Sequence, residues 1–221
     1  MFDRISGVYD RMNRVMTAGL DQSWRARAAE RARLEPGMDA LDLCCGTGDL
    51  ALMLAERVGP EGRVTGADFS QPMLDLALEK AKDLGVRQAT FRWADALDLP
   101  FEDESFDAVT IAFGARNLAD LDKGIEEMRR VLVPGGRLVI LEITQPRRQP
   151  LAGFFALWFD RIVPLLGKVA GDSSAYTYLP ESVRSFPDAE SLAARLDAAG
   201  LRHVRWTLMA GGIIALHSGV R

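Results

Sequence analysis

A glycine-rich turn and an aspartate downstream of it have residue types and a spacing that suit ligand binding. The turn lies in the run Leu41–Asp49, which reads LDLCCGTGD. Gly46 and Gly48 permit positive φ and a close approach of the backbone to a ligand, as at the first strand-to-helix turn of nucleotide-binding folds. Asp68 follows Gly46 by 22 residues, where an acid can accept both ribose hydroxyls of an adenosine. We therefore predict that Gly46, Thr47, Gly48 and Asp68 bind an adenosine-containing cofactor.

Nicotinamide dinucleotides and S-adenosylmethionine both carry an adenosine, and three features favour S-adenosylmethionine. Asp42 precedes the turn within its strand, and methyltransferases commonly carry an acid there that orders the loop. Asp95, followed by Ala96, closes the third predicted strand and can accept from an adenine amino group. The chain finishes with two predicted strands joined by three residues, which permits only an antiparallel hairpin. Asp42, Asp95 and Ala96 therefore join the predicted cofactor site.

The pattern of apolar segments predicts one α/β domain over residues 1–221. Strands that alternate with helices of about ten residues imply a mainly parallel sheet with right-handed crossovers. The predicted strands are Ala40–Cys44, Arg63–Ala67, Thr90–Trp93, Phe106–Ala112, Arg137–Ile143, His203–Leu208 and Gly212–Gly219. The predicted helices are Leu50–Val58, one from the Ser70 cap to about Leu84, Asp122–Leu132 and Pro187–Gly200. The fold class is Rossmann-like, that of the class I methyltransferases, with seven strands and a C-terminal antiparallel hairpin.

Two segments lie outside this alternation. Residues 1–36 are predicted to be helical, and residues 146–186 form a long insert that contains several aromatic residues. Connections of this length are typical of lids or binding loops. The apolar runs Leu151–Phe159 and Ile162–Leu166 suit an amphipathic wall or contact with a membrane surface. Burial of the same runs against the sheet is an equal alternative.

Composition and charge exclude several classes of protein. The net charge of −4 argues against a nucleic-acid partner, which normally demands a basic surface. Cys44 and Cys45 are the only cysteines, too few for a structural zinc site, and no metal is predicted. No apolar stretch reaches the 18 residues of a transmembrane helix. Few cysteines and the lack of a secretory signal predict a cytoplasmic protein.

Five groups of residues along the whole chain resemble one family. They are Phe2-Asp3 and Tyr9–Asn13 with Trp24; Phe113–Asn117; Arg130–Gly136 with Leu141-Glu142; Asp172 with Tyr176, Tyr178-Leu179, Glu181-Ser182 and Phe186-Pro187; and Ala210–Gly212 with Ala215–His217. They resemble the ubiquinone/menaquinone biosynthesis C-methyltransferases. The chain departs from the family at Asp21, Val133 and Thr144, and Ala112 stands where related sequences can carry a serine that contacts the cofactor. Ala112 therefore also joins the predicted cofactor site.

The resemblance implies transfer of a methyl group from S-adenosylmethionine to a ring carbon of a polyprenyl hydroquinone. The precursor of menaquinone is preferred to that of ubiquinone. Arg116 and Asn117 follow the fourth strand at the carboxyl edge of the sheet, where ligands bind, and are the predicted catalytic residues. Arg116 can stabilise a developing phenolate or orient a water molecule. An ion pair on the rim of the sheet is the alternative for Arg116.

Four more residues are candidates for the substrate site under this resemblance. Tyr9 can close over the cofactor, and Tyr176, Tyr178 and Arg184 can line the ring pocket; packing is the alternative for each. His217 can be a base, although a structural role is more typical of a histidine on a hairpin. The isoprenoid tail suits the insert, and peripheral contact with the inner face of a membrane and a homodimer are further expectations.

Three other functions remain open on the sequence alone. A methyltransferase of secondary metabolism would share the cofactor half, and the family-like stretches at both ends argue against it. A non-catalytic cofactor-binding subunit would show no turnover with any quinol. An oxidoreductase would bind a reduced nicotinamide in preference to S-adenosylmethionine.

Overall fold

A computed structural model describes residues 14–146 and 180–221. Its strands are β1 (Asp39–Leu43), β2 (Arg63–Asp68), β3 (Ala89–Trp93), β4 (Phe106–Ala112), β5 (Leu132–Ile143), β6 (Arg202–Met209) and β7 (Ile214–Val220). Its longer helices are α1 (Leu20–Arg31), α2 (Asp49–Val58), α3 (Gln71–Asp83), α4 (Leu121–Arg130) and α5 (Ala189–Ala198). The predicted substrate residues Tyr9, Tyr176 and Tyr178, and most of the insert, lie outside the described residues.

The seven strands form one sheet in the order β3-β2-β1-β4-β5-β7-β6. The pairs from β3 to β5 are parallel, whereas β7 is antiparallel to both β5 and β6. The predicted fold class, including the C-terminal antiparallel hairpin, is therefore confirmed. Leu43 of β1 is in register with Ala67 of β2 and Ile111 of β4, so the carboxyl ends of these three strands meet at one edge.

Helices bury apolar faces on both sides of the sheet. On one side α1 and α2 contribute residues such as Ala28 and Leu54, both with no exposed surface. On the other side α4 and α5 contribute Ile125 and Leu196, which are equally buried. Burial of a leucine or isoleucine side chain such as these stabilises the fold by about 1.5–3 kcal/mol. The two cores fix the sheet between helices and hold its carboxyl edge in place.

Aspartate side chains cap the starts of two helices close to the predicted positions. Asp120 caps α4 by accepting from Lys123 N, and Asp188 caps α5 by accepting from Ser191 N. A side-chain oxygen at this position satisfies an N–H group that has no partner within the helix.

No helix in residues 14–146 or 180–221 is long and apolar enough to cross a membrane.

Several predicted boundaries are wrong by two residues or more. The strand predicted to begin at Arg137 begins at Leu132, and the helix predicted over Pro187–Gly200 spans Ala189–Ala198. The helix predicted to reach Leu132 ends at Arg130, and Leu132 already pairs with Phe106 as part of β5. The register then moves from that pair to Ala108 and Arg137, so the Pro-Gly-Gly turn forms an irregular bulge inside the strand. The last strand begins at Ile214 and not at Gly212, whose φ of 95° does not fit an extended strand.

Candidate active site

The glycine turn leaves open space at the carboxyl end of β1. Gly46 and Gly48 have φ of 55° and 82°, in the left-handed region that glycine adopts without strain. A Cβ added at Gly46 would meet no atom within 4 Å, whereas one at Gly48 would lie 3.0 Å from Ala77 and Phe91. Gly48 is therefore required for packing, whereas Gly46 forms an open cradle in which the backbone faces free space.

An open cleft lies over this turn. It is lined by Arg25, Asp42, Cys44, Cys45, Gly46, Thr47, Asp49, Leu50 and Ala112. Four predicted cofactor residues, Asp42, Gly46, Thr47 and Ala112, thus share one cavity. Arg25 and Asp49 also line it and were not predicted.

Asp68 joins the end of β2 to the glycine turn. Its Oδ2 accepts from Gly46 N at 2.8 Å, and its Oδ1 accepts from Ser70 N at 2.9 Å. Asp68 therefore shapes the glycine turn through these two backbone hydrogen bonds, and its contact with a ribose stays a prediction.

Asp42 is a buried carboxyl with one unpartnered oxygen. It is 1% exposed, and its Oδ1 accepts from Thr110 Oγ1 at 2.7 Å. Its Oδ2 is buried and has no hydrogen-bond partner. Burial raises the pKa of Asp42 to about 7, against the opposing effects of the Thr110 hydrogen bond and the Arg25 charge. The wall of the cleft therefore holds a carboxyl whose ionisation a cationic ligand would favour.

The two cysteines of the turn are not set up as nucleophiles or metal ligands. Burial raises the pKa of both thiols, and the charges of Asp42 and Asp68 raise it further. Since the thiolate is the reactive form, both side chains stay protonated at neutral pH. Within the described ranges, no cluster of His, Cys, Asp and Glu side chains is arranged to hold a metal ion.

Arg25 of α1 is the cation on the wall of the cleft. It is 8% exposed, and its Nη1 donates to Asp21 Oδ2 at 2.7 Å. Its guanidinium also lies over the ring of Phe113, 5.1 Å from the ring centroid. The spacing of Asp21 and Arg25 at i and i+4 could have indicated the ion pair, but nothing in it shows that the pair faces the cleft.

A polar network ties α1, α2 and α3 to the turn. Lys80 Nζ lies 2.5 Å from Asp49 Oδ1 and donates to Thr47 Oγ1 at 3.1 Å. Gln22 Nε2 donates to the other oxygen of Asp49 at 2.8 Å. Burial opposes ionisation of Asp49, but the Lys80 hydrogen bond and charge outweigh it and lower its pKa. Asp49 is therefore a fixed anion between three helices.

The predicted catalytic arginine makes a buried ion pair. Arg116 Nη1 lies 2.6 Å from Glu142 Oε1, and the two side chains are 9% and 1% exposed. The same Nη1 donates to Phe113 O, and Arg116 N donates to Glu142 Oε2 at 3.2 Å. Arg116 Nε and Asn117 Oδ1 are buried without partners. The ion-pair alternative thus describes the main contact of Arg116, and its catalytic role stays a prediction.

Two exposed aromatic rings flank the end of β2. Phe69 and Trp93 are 72% and 50% exposed, and their centroids lie 5.4 Å apart. Trp93 is in register with Asp68, and Asp95 follows two residues later. Asp95 is exposed and accepts from Leu97 N at 2.9 Å, and Ala96 is buried. The structure therefore adds an exposed surface of two tilted aromatic rings between the predicted cofactor residues Asp68 and Asp95, which no local sequence pattern indicated.

The remaining candidates lie away from the cleft lining. Arg184 is exposed, and its backbone oxygen accepts from Gln145 Nε2 at 3.3 Å. His217 is 1% exposed, and its Nε2 lies 2.8 Å from Ala189 O. Because a carbonyl can only accept, this contact makes Nε2 the protonated nitrogen. Burial lowers the pKa of His217, and the structural role is the one its contacts support.

The fold resembles those of a solved methyltransferase and of a solved cyclase. A SAM-dependent methyltransferase from Aquifex aeolicus has a TM-score of 0.66 and 22% identity, over 89% of this chain and 88% of its own. The [4+2]-cyclase SpnF has a TM-score of 0.70 and 22% identity, over 90% of this chain and 80% of its own. At this level of identity the likeness concerns the fold alone.

Sequence relatives are much closer. The demethylmenaquinone methyltransferase of Thermus thermophilus is 48% identical over all of both chains. That of Deinococcus radiodurans is 46% identical, over 99% of this chain and 90% of its own. A model of the ubiE/COQ5 methyltransferase family matches residues 1–221. The predicted family and the predicted enzyme class, an S-adenosylmethionine-dependent methyltransferase, are confirmed. The chain belongs to the ubiE/COQ5 methyltransferase family.

Proposed function

We propose that the protein transfers a methyl group from S-adenosylmethionine to a ring carbon of demethylmenaquinol, which yields menaquinol. The observation that carries the proposal is the 48% identity to a demethylmenaquinone methyltransferase over the full length of both chains. The identity thus extends beyond the glycine turn to the parts of the chain that do not belong to the proposed cofactor site. A methyltransferase with another aromatic acceptor would need to share only the cofactor half.

The residues of the cleft fit this cofactor. The open cradle at Gly46 leaves room for a ligand against the backbone, and Asp68 beside it can accept from ribose hydroxyls. The unpartnered Oδ2 of Asp42 provides negative charge for a cationic ligand. Asp95 and the Phe69–Trp93 pair suit the amino group and the flat face of an adenine. Bound there, the cofactor supplies an electrophilic methyl group on a positively charged sulfur.

The acceptor must be the reduced quinone. Loss of a hydroxyl proton makes the hydroquinone ring an electron-rich carbon nucleophile, whereas the oxidised quinone is an electrophile. The ring carbon forms the new C–C bond while the S–C bond breaks, and the ring hydrogen at that carbon then leaves as a proton. The protein supports this chemistry chiefly by positioning and by excluding water.

Arg116 and Asn117 are the residues proposed to act on the ring. A guanidinium at the carboxyl edge of β4 can stabilise negative charge on the ring oxygen, but arginine is too basic to take the proton itself. The buried, unpartnered Oδ1 of Asn117 is an acceptor that can orient a hydroxyl or a water molecule. Both roles leave the proton acceptor to water or to another group.

The polyprenyl tail of the substrate places the reaction at a membrane surface, and we propose the cytoplasmic face. The apolar runs Leu151–Phe159 and Ile162–Leu166 in the sequence of the insert support this. Cosedimentation with lipid vesicles tests the contact, and light scattering of the purified protein tests the expected homodimer.

The test is a transfer assay with reduced demethylmenaquinone. The expected products are S-adenosylhomocysteine and a quinol with one added methyl group on a ring carbon, as read by mass spectrometry and proton NMR. Asp68→Ala should weaken S-adenosylmethionine binding by about 2–3 kcal/mol, roughly 30- to 150-fold. Asp75→Ala, an exposed acid on α3, is the matched control. Methylation on oxygen, or equal rates with the oxidised quinone, would contradict the mechanism even with the cofactor bound.

A further inference from the structure

We propose that Arg25 binds the α-carboxylate of the methionine part of the cofactor, so that α1 forms a carboxylate subsite of the cleft. The inference rests on the proposed function, because it assigns one end of the proposed cofactor. It concerns a residue that lies far from the glycine turn in the sequence and that the motifs do not indicate.

The charges of the ligand create the need for such a residue. S-adenosylmethionine has a positive sulfonium, a positive ammonium and one negative carboxylate. The cleft and its edge carry the carboxyl groups of Asp42, Asp49 and Asp68. These acids suit the two cationic groups of the ligand and repel its carboxylate. A cation that faces the ligand carboxylate would offset this repulsion.

Among the residues that the structure describes, Arg25 is the basic residue that can face the ligand carboxylate in this cleft. Lys80 Nζ is held by Asp49 and Thr47. Arg116 is held by Glu142 and by Phe113 O, and it does not line the cleft. Arg25 lines the cleft and has only one hydrogen bond to a described residue, from Nη1 to Asp21.

The guanidinium of Arg25 still has donors that face open space. Its Nε and Nη2 make no hydrogen bond within the described residues, and neither is among the buried polar atoms that lack a partner. Some of their surface is therefore open, and the cleft is the open space that Arg25 lines. A guanidinium presents its N–H groups in a planar fork that matches a carboxylate.

The surroundings hold Arg25 in this orientation. Asp21 fixes one edge of the guanidinium, and the ring of Phe113 supports one face. Thr17 Oγ1 in turn donates to Asp21 Oδ1 at 3.0 Å. The Gln22–Asp49 hydrogen bond fastens the start of α1 to the start of α2. The donor group is thus positioned before a ligand arrives, which reduces the entropic cost of binding.

Calorimetry with two matched ligands tests the subsite. S-adenosylhomocysteine carries the carboxylate, whereas S-adenosyl-3-thiopropylamine keeps the adenosine, the thioether and the ammonium and lacks the carboxylate. Arg25→Met should weaken the binding of S-adenosylhomocysteine about 10- to 150-fold and leave the amine within about twofold. Arg25→Lys should fall between, because it keeps the charge and loses the fork.

Arg27→Met is the control, since Arg27 is exposed on the same helix, and it should bind both ligands as the wild type does. An equal loss for both ligands in Arg25→Met would show that Arg25 only supports the fold of the cleft and would overturn the subsite. Unchanged affinity for S-adenosylhomocysteine would also overturn it. Failure of the wild type to bind either ligand would instead contradict the proposed function itself.

Discussion

Two aspartates of the same cleft are tuned in opposite directions. Asp49 has a cation within 2.5 Å, and this contact outweighs its burial and lowers its pKa. Asp42 has no cation in such close contact, so burial outweighs the Thr110 hydrogen bond, the Arg25 charge and a backbone hydrogen bond from Ala51 and raises its pKa to about 7. Asp49 is therefore ionised throughout the neutral range, whereas Asp42 changes charge within it.

We expect the binding of S-adenosylmethionine to depend on the ionisation of Asp42. The sulfonium favours the ionised carboxyl and lowers its pKa in the complex, so binding releases a proton near neutral pH and tightens as the pH rises from 6 to 8. S-adenosylhomocysteine has the same ammonium and carboxylate but a neutral sulfur. The ratio of the affinity for S-adenosylmethionine to the affinity for S-adenosylhomocysteine should thus rise with pH. The rise should reach up to about tenfold for each unit by which the sulfonium lowers the pKa of Asp42. Calorimetry in buffers of different ionisation enthalpy measures it, and Asp42→Asn should give a flat ratio.

The ion pair between Arg116 and Glu142 obscures any catalytic role of Arg116. Arg116→Met alone leaves Glu142 buried without its cation and should cost about 3–5 kcal/mol of unfolding free energy. Arg116→Met combined with Glu142→Gln removes both charges, and the single glutamine oxygen can still accept from one of the two backbone N–H groups, that of residue 116 or that of Ile143, which the two carboxylate oxygens accept in the wild type. We expect the double variant to recover most of the stability, as measured by urea unfolding, and to keep a low kcat. Recovery of kcat together with stability would assign Arg116 to the ion pair alone.

At the scale of elements, Lys80 connects α3 to the turn and to the start of α2. We expect Lys80→Met to lower stability by about 1–2 kcal/mol, a value reduced for the partial exposure of the pair. It should also weaken S-adenosylmethionine binding, because Thr47 and Asp49 line the cleft. Thermal unfolding and calorimetry measure the two effects. Lys82→Met, an exposed lysine on the same helix, should change neither, and equal effects of both variants would contradict the network.

The elements that the sequence predicted well have strong local signals. Alternating apolar segments and the glycine turn placed β1, β2 and β4 within a residue or two of their observed bounds. The errors fall where backbone pairing overrides local preference. Leu132 is apolar and could end a helix, but pairing with Phe106 places it in β5.

At the scale of the whole molecule, the turn-side half of the site could be predicted and the α1 side could not. The glycine turn and Asp68 belong to a contiguous motif and a fixed spacing. Arg25 reaches the cleft only because α1 docks on α2, through contacts such as Gln22 with Asp49 over 27 residues of sequence. Docking of this kind depends on the packing of whole helices, which a local pattern does not specify.

The stability of the whole fold should also depend on pH, with opposite contributions from two buried groups. Asp42 binds a proton more tightly in the folded protein, so its contribution to stability falls as pH rises from about 4 to about 7. His217 binds a proton less tightly in the folded protein. The unfolded imidazole therefore takes up a proton below its ordinary pKa of about 6.5, and the contribution of His217 to stability falls as pH decreases from there.

His217→Gln separates the two contributions, because a glutamine amide can still donate to Ala189 O and does not titrate. We expect the wild type to lose more unfolding free energy than this variant between pH 7.5 and 5.5, by at most about 1.4 kcal/mol per pH unit below 6.5. Urea unfolding at several pH values measures the difference, with Asp42→Asn as the variant of opposite sign. Parallel pH profiles for the wild type and His217→Gln would mean that the imidazole takes up its proton in the folded protein with the same pKa as in the unfolded chain, which would contradict the prediction. The buried Nδ1 would then need an acceptor, and the described residues provide none.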